Sequence, residues 1–210
     1  NQTEEEFADS RFQVLSELTR LRQLCCDPAL VYENYEGGSA KLDLCIELIQ
    51  SAVESGHKIL LFSQFTSMIE ILTARLQEES ISYFVLQGST KKEQRAQMVE
   101  QFNRDDTSVF CISLKAGGTG LNLTGADIVI HYDPWWNVAV ENQATDRAHR
   151  IGQKNVVTVY KLIAKGTIEE KIIKLQQRKK ELAEEILSGD EIKTASFQRE
   201  ELLELLEERF

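Results

Sequence analysis

Two arginines three residues apart, Arg147 and Arg150, are the residues whose type and spacing could most directly do chemistry. Each guanidinium presents several N–H donors in one plane, which suits it to bind a carboxylate or a phosphate through paired hydrogen bonds. Positions three and four apart share a helix face, so we expect both arginines and Gln143 to point to one side of a helix. Paired arginines on a helix are commonly surface charges or carboxylate partners, and the pair alone leaves that interpretation open.

Strands and helices alternate around this arginine pair. A short continuous apolar run at 58–63 is typical of a strand buried on both faces, and further strands are predicted at 82–86, 108–113, 126–132 and 156–163. Amphipathic periodicity predicts helices at 5–26, 41–55, 67–79, 91–103, 138–150, 167–187 and 198–208. Three of these helices have capping-box spacing at their start, in the pairs Ser67 and Glu70, Thr90 and Glu93, and Thr167 and Glu170. This order predicts an α/β fold, a doubly wound parallel sheet with helices on both faces.

Small and polar residues follow the predicted strands at their carboxyl ends, where doubly wound folds bind ligands. They are Ser63-Gln64, Gly88-Ser89-Thr90, the run from Lys115 to Gly120, and the run from Asp133 to Asn137. The run Gly117-Gly118-Thr119-Gly120 fits neither the P-loop nor the dinucleotide fingerprint. It is either a phosphate-binding turn or a structural tight turn, and the sequence alone does not choose between them.

Other residues that could do chemistry have plainer interpretations. Trp135 and Trp136 are the only tryptophans, and they are either core residues or a platform at the mouth of the site. His131 and His149 have no carboxylates or thiols at useful spacing, so we expect structural roles. The four cysteines lack metal-ligand spacing and are predicted to be buried, reduced thiols: Cys25, Cys26, Cys45 and Cys111.

The net charge of −10 comes from the two ends of the chain. Residues 1–10 hold four acids and no bases, and residues 181–210 hold ten acids and three bases. The remaining residues, 11–180, hold 20 acids and 21 bases, so a polyanion partner stays possible for the middle. There is no apolar run long enough to span a membrane, and 42% apolar with 28% charged residues is typical of a soluble globular protein.

Because the chain begins with Asn1 rather than Met, we expect it to be a fragment of a longer protein, and we expect three segments in it. They are a helical lead-in at 1–38, a main lobe at 39–187 and an acidic helical extension at 188–210. The sequence contains neither a P-loop lysine nor an acidic Mg²⁺-binding pair, so it cannot hold ATP and Mg²⁺ in the usual manner. The strand ends are suited to bind anions and the arginines are paired, but the motifs that hold ATP and Mg²⁺ are absent. This combination indicates one half of a site that two lobes form.

Longer strings resemble the C-terminal RecA-like lobe of Swi/Snf-type DNA translocases in helicase superfamily two. The resemblance covers about residues 12–187 and is closer to bacterial members than to nuclear remodellers. Val138 departs from it, since the family usually has proline there. The matching strings lie at 62–66, 86–90, 113–123, 127–137, 143–153, 160–163 and 168–171.

The resemblance implies that ATP lies between this lobe and the N-terminal RecA-like lobe of the same polypeptide, which holds most of the ATP and Mg²⁺ contacts. This chain alone is then expected to bind no metal. Arg150 would contact the transferring phosphate and Arg147 would support it. Gln143 and Asp146 would orient the arginines, and Gly120 would couple the nucleotide cleft to the DNA track.

The resemblance also implies sequence-nonspecific binding of double-stranded DNA, with no membrane partner, in the bacterial cytoplasm and nucleoid or in a eukaryotic nucleus. A degenerate lobe that binds nucleic acid or protein without catalysis is the alternative, which the intact arginine pair disfavours. A free-standing nucleotide enzyme is disfavoured by the missing phosphate fingerprints. The residues expected to hold the DNA backbone are Ser63, Gln64, Gly88, Ser89, Thr90, Lys115, Gly118 and Thr119.

Overall fold

A computed structural model describes residues 4–113, 121–148 and 156–187, and side chains at 13–113, 121–148 and 156–178. Within these ranges five strands form one parallel sheet in the order β2-β3-β1-β4-β5. The predicted doubly wound α/β fold is therefore confirmed. The strands are β1 Ile59–Ser63, β2 Tyr83–Leu86, β3 Val109–Ser113, β4 Ile128–His131 and β5 Thr158–Lys161. The helices are α1 Glu4–Cys26, α2 Ala40–Glu54, α3 Thr66–Glu78, α4 Lys92–Arg104, α5 Val138–Thr145 and α6 Ile168–Leu187, with a 3₁₀ turn at Pro28–Leu30.

The central strands are buried on both faces, which explains their unbroken apolar runs. Along β1, Ile59 and Leu61 belong to a core shared with α2 and α3, whereas Leu60 and Phe62 belong to a core shared with α4 and α5. A strand points successive side chains to opposite faces, so a helix layer on each side requires apolar residues at every position.

A third, smaller core joins the two ends of the described chain. Leu18 of α1 packs with three apolar residues of α6, Ile168, Ile172 and Leu175. The lead-in helix is therefore packed against the last described helix rather than standing apart from the lobe. None of the described helices combines the length and the apolar character that crossing a membrane requires.

The predicted helix at 138–150 is too long, because α5 ends at Thr145. Beyond it the backbone tightens into a turn, in which the N–H of Arg147 donates to the carbonyl of Ala144 at 3.3 Å. The carbonyl of Arg147 accepts from the N–H of Leu123 at 3.0 Å. Helical periodicity could not show this end of α5, because a tertiary hydrogen bond takes the chain out of the helix.

Two of the three capping-box predictions are wrong. Phe65 is the N-cap of α3 and Lys91 is the N-cap of α4, and neither makes a side-chain cap hydrogen bond. Thr90 is used instead in the turn before α4. In the third predicted box, the threonine does lie at the start of its helix. Thr167 directly precedes α6, and its Oγ1 accepts from the N–H of Glu169 at 3.2 Å.

Three of the four cysteines are buried and all four are free thiols, as predicted. Burial raises the pKa of the Cys45 thiol to about 12, so this group stays protonated at neutral pH. Cys25, at the end of α1, is half-buried, and burial also raises its thiol pKa.

Candidate functional site at the carboxyl edge of the sheet

The carboxyl ends of the central strands lie side by side. Ser63 at the end of β1 pairs with Ser113 at the end of β3, and Phe62 pairs with His131 at the end of β4. The chain that follows β1 and the chain that follows β4 therefore meet at one edge of the sheet, as the sequence predicted. The run after β3, residues 114–120, lies outside the described residues.

Asp133 holds the loop after β4 against the loop after β1. Its Oδ1 accepts from the hydroxyl of Ser63 at 2.6 Å and from the N–H of Gln64 at 3.2 Å. The side-chain amide of Gln64 then donates to the carbonyl of Pro134 at 2.7 Å. Burial raises the pKa of the Asp133 carboxyl, and the hydrogen bond from Ser63 and the nearby charge of Arg22 oppose that rise. Asp133 therefore joins two predicted site loops through buried polar contacts.

Arg22 brings helix α1 into this network, and the sequence analysis missed it. Its side chain is buried, lies 3.8 Å from a carboxylate oxygen of Asp133 and donates to the carbonyl of Pro134 at 3.0 Å. The guanidinium carbon lies 5.4 Å from the ring centre of Phe65 and 5.1 Å from that of Trp136. Its sequence signal was a basic residue four positions after Leu18, inside the apolar stripe of α1.

The two tryptophans separate in role. Trp135 is buried in the core shared with α5, as the core interpretation predicted, and its carbonyl accepts from the side-chain amide of Gln176 in α6. Trp136 is half-buried, packs against the core of α1 and α6, and stacks over Arg22. The loop after β4 is therefore fixed from both sides.

Helix α5 is fixed to the sheet by polar side chains. Glu141 is 1% exposed, forms an ion pair with Lys161 of β5 and accepts from the N–H of Trp135 at 3.4 Å. His131 Nε2 lies 3.0 Å from the hydroxyl of Thr145, the last residue of α5. Burial lowers the pKa of His131 to about 4, so the imidazole is neutral at pH 7 and has the structural role predicted for it.

Residues 146–150, which contain both arginines and are called the arginine stretch, begin immediately after α5. Arg147 is 3% exposed, whereas Gln143 and Asp146 are exposed. The predicted common face of Gln143 and Arg147 is therefore wrong, because the two side chains lie in opposite environments and α5 ends between them. The carbonyl of Arg147 accepts from the N–H of Leu123, which lies three residues after Gly120 in the chain.

The loop after β2 is more exposed than the loop after β1, the other predicted DNA-binding loop that the structure describes. Gly88 and Ser89 are exposed, while Thr90 is half-buried. The hydroxyl of Thr90 accepts from the N–H of Gln87 at 3.1 Å, and the N–H of Thr90 donates back to the carbonyl of Gln87 at 3.0 Å, which closes a tight turn. A Cβ on Gly88 would meet nothing within 4 Å, so this fold does not itself require glycine there.

The remaining predicted site residues lie outside the described part of the chain, and their roles stay predictions. Among the described residues, no group of three or more histidine, cysteine, aspartate or glutamate side chains could hold a metal ion. These predicted site residues are Lys115, Gly118, Thr119, Gly120 and Arg150, and His149, predicted to be structural, also lies outside the described ranges.

Comparison with known sequences gives a consistent picture. The model of the helicase conserved C-terminal domain matches residues 40–152, a range that includes the arginine stretch. An uncharacterised ATP-dependent helicase of Mycoplasma pneumoniae is 45% identical over 202 residues, 94% of this chain and 19% of that protein. The putative ATP-dependent helicase/translocase YwqA of Bacillus subtilis is 43% identical over 185 residues, 84% of this chain and 20% of that protein. The chain thus spans about a fifth of the length of these two relatives.

Solved structures agree with the sequence matches. The C-terminal domain of a Sulfolobus solfataricus SWI2/SNF2 ATPase is similar with a TM-score of 0.73 and 31% identity, covering 99% of this chain and 85% of that chain. The core of the same ATPase in complex with double-stranded DNA is similar with a TM-score of 0.70 and 38% identity, covering 83% of this chain and 37% of that chain.

Proposed function

The chain belongs to the helicase C-terminal domains of SWI2/SNF2-type ATPases, and on that premise we propose that it is the second motor lobe of an ATP-dependent translocase on double-stranded DNA. The observation that carries the proposal is the family match through residue 152, which includes Arg147 and Arg150. In such an enzyme this lobe supplies arginines to ATP hydrolysis and contacts to the DNA backbone. Its target is a protein–DNA complex, such as chromatin, that the moving enzyme remodels.

For the nucleotide side we propose unequal roles for the two arginines. Arg147 is buried in the turn after α5, and its backbone is tied to Leu123, which suits a supporting residue. Arg150, three positions later, is the residue proposed to contact the transferring phosphate. A guanidinium there stabilises the charge that develops on the phosphate oxygens. Gln143 and Asp146, both exposed at the end of α5, are proposed to orient the arginines against the first lobe.

ATP and Mg²⁺ are assigned mainly to the first lobe. A contributing role for this chain is supported by its sequence, which has no P-loop. When bound, Mg²⁺ neutralises phosphate charge during hydrolysis. This lobe's own part is to present its guanidiniums, with Gly120 proposed to couple the cleft to the DNA track.

For the DNA side we propose contacts to sugar and phosphate without base readout. Exposed backbone N–H groups and hydroxyls bind phosphates without reading sequence, and the loop at Gly88 and Ser89 offers both. Ser63 is fully buried and donates to Asp133, so its proposed part is to hold Gln64 in place rather than to touch DNA. Lys115, Gly118 and Thr119 are proposed to extend the same track.

The test is Arg150→Ala in a polypeptide that carries both lobes. We expect DNA-stimulated ATP hydrolysis to fall by about 10³-fold, the scale for an arginine at a transferring phosphate, with DNA affinity largely intact. Arg104→Ala, which removes an exposed arginine of α4, is the matched control and should leave hydrolysis unchanged. A collapse of DNA affinity in Arg150→Ala would make this residue part of the phosphate track instead. A wild-type two-lobe polypeptide without ATPase activity would favour a non-catalytic binding module.

A further inference from the structure

We propose that the ion pair between the buried Glu141 and the partly exposed Lys161 positions the arginine stretch, so that both are positioning residues for ATP hydrolysis. The inference rests on the proposed function, because it assumes that the arginines after α5 act on the nucleotide. It adds two residues that neither touch the nucleotide nor lie within the arginine stretch itself.

Glu141 is held by partners on two other parts of the fold. Its carboxylate lies in the first turn of α5 and is buried against the sheet. It forms an ion pair with Lys161 on the edge strand β5 and accepts from the N–H of Trp135 in the loop after β4. An ionised carboxylate at this depth is tolerated only with such partners. The start of α5 is therefore attached at once to the edge strand and to the loop after β4.

At the other end of α5, the hydroxyl of Thr145 contacts two groups. The hydroxyl of Thr145 lies 3.2 Å from the carbonyl of Glu141 and 3.0 Å from His131 Nε2. The hydroxyl has one proton, and the carbonyl of Glu141 can only accept, so His131 must donate from a protonated Nε2. Residues 141 and 145 lie one turn apart on the same face of α5. They attach that face to β5 at one end and to β4 at the other.

Helix α5 leads directly into the arginine stretch. Arg147 follows Thr145 by two residues and its N–H still bonds to the carbonyl of Ala144. The direction in which the chain enters the arginine stretch is therefore set by the orientation of α5. The helix has eight residues and is about 12 Å long. A tilt of its first turn therefore also displaces its last turn and the residues that follow it.

A charged pair restricts the orientation of α5 more narrowly than an apolar contact would. Apolar side chains pack in several registers at similar energy, whereas a buried carboxylate has few positions in which both of its partners are satisfied. The sheet-facing side of α5 also holds the small residue Ala144, which fixes the spacing but little of the direction. Lys161 is 42% exposed at its side chain, so replacing it leaves the core of the sheet in place.

The experiment uses the two-lobe polypeptide and measures kcat and KM for ATP, DNA affinity and the thermal unfolding midpoint. Lys161→Met leaves the Glu141 carboxylate without its ion-pair partner, and we expect kcat to fall about tenfold, since small misplacements of reacting groups cost up to about 100-fold. KM and DNA affinity should stay within about twofold. The double variant Glu141→Gln with Lys161→Met removes both charges and should recover part of kcat. Glu100→Gln, which breaks an exposed pair with Arg104 on α4, is the matched control and should change nothing.

A double-mutant cycle separates positioning from general structural damage. If the pair acts through the arginines, Lys161→Met should have little further effect on single-turnover hydrolysis in an Arg150→Ala background. A full, multiplicative loss in that background would overturn the inference, as would a normal kcat in Lys161→Met alone. If Arg150→Ala itself leaves kcat unchanged, the proposed function fails and this inference with it. A loss in Arg150→Ala together with a normal Lys161→Met overturns the inference alone.

Discussion

Asp133 is the residue where the buried polar contacts of the carboxyl edge meet. It accepts from a side-chain hydroxyl and a backbone N–H that follow β1, and it faces the guanidinium of Arg22 from α1. Burial disfavours its charged form and raises its pKa, and the donors around it oppose only part of that rise. A single carboxylate therefore fixes the relative position of two loops and a helix.

Gly88 gives a prediction about DNA contact. The backbone here has no positive φ and a Cβ would meet no atom within 4 Å, so Gly88→Ala should leave the free energy of unfolding within about 0.5 kcal/mol. If a phosphate approaches this backbone, the added methyl should weaken DNA binding about tenfold, the scale of one charged hydrogen bond.

Gly38→Ala is the control for this measurement, since a Cβ there makes only ordinary contact with Asp43. Both variants would be compared by fluorescence anisotropy on several duplex sequences in the two-lobe polypeptide. Equal DNA affinity of Gly88→Ala and wild type would place the DNA track elsewhere.

His131 gives a prediction about pH. Its folded-state pKa of about 4 lies below the ordinary value of 6.5, so the unfolded chain binds the extra proton between these two pH values. Stability contributed by the neutral imidazole is present above pH 6.5 and is lost as the pH falls toward 4. Between pH 7 and pH 5 the wild-type chain should therefore lose about 2 kcal/mol more unfolding free energy than His131→Gln.

Urea denaturation of both proteins at the two pH values measures this difference. Glu141 and Lys161, which face His131, are present in both proteins, so their own titration cancels in the comparison. Parallel pH profiles would show that His131 keeps an ordinary pKa in the folded chain.

At the scale of elements, α1 is tied to the site by one side chain. Arg22 is buried between two aromatic rings and beside Asp133, whereas Arg20, on the same helix, is exposed. Because breaking a buried ion pair leaves a charge without its partner, Arg22→Met should lower the unfolding free energy by about 3 kcal/mol. Arg20→Met should change it by less than about 0.5 kcal/mol.

Chemical denaturation of the three proteins checks this prediction. Adding Asp133→Asn to Arg22→Met should give a total loss smaller than the sum of the two single losses, because the second change removes the carboxylate left behind. Additive losses would mean that the two residues do not act as a pair.

At the scale of the whole molecule, the proposed function makes this chain one part of a site that two lobes complete. The sequence has paired arginines but neither a P-loop nor an acidic Mg²⁺-binding pair, and the chain spans about a fifth of its relatives. The isolated chain should therefore show negligible ATP hydrolysis with or without duplex DNA. Joining it to its first lobe should produce DNA-stimulated hydrolysis, and robust turnover by the isolated chain would refute the two-lobe assignment.

The layered fold was readable from the sequence, because its signals are local. Strand segments of five to eight residues, alternating with amphipathic helical segments, predict a parallel sheet covered on both faces, and all five described strands lie within those segments. The strand-end loops were also found, since parallel strands bring their carboxyl ends to one edge. The strings around the arginine stretch identified the family.

What the tertiary structure decided depends on residues far apart in the chain. Arg22 meets Asp133 across 111 positions, Ser63 meets Asp133 across 70, and Arg147, two residues beyond the end of α5, accepts from the N–H of Leu123. Periodicity reports which face of an element is apolar, but it does not report which buried charge finds which partner. The sequence by itself therefore determined the elements and the family, whereas long-range hydrogen bonds and burial decided how the loops after β1 and β4 and the turn at Arg147 are held.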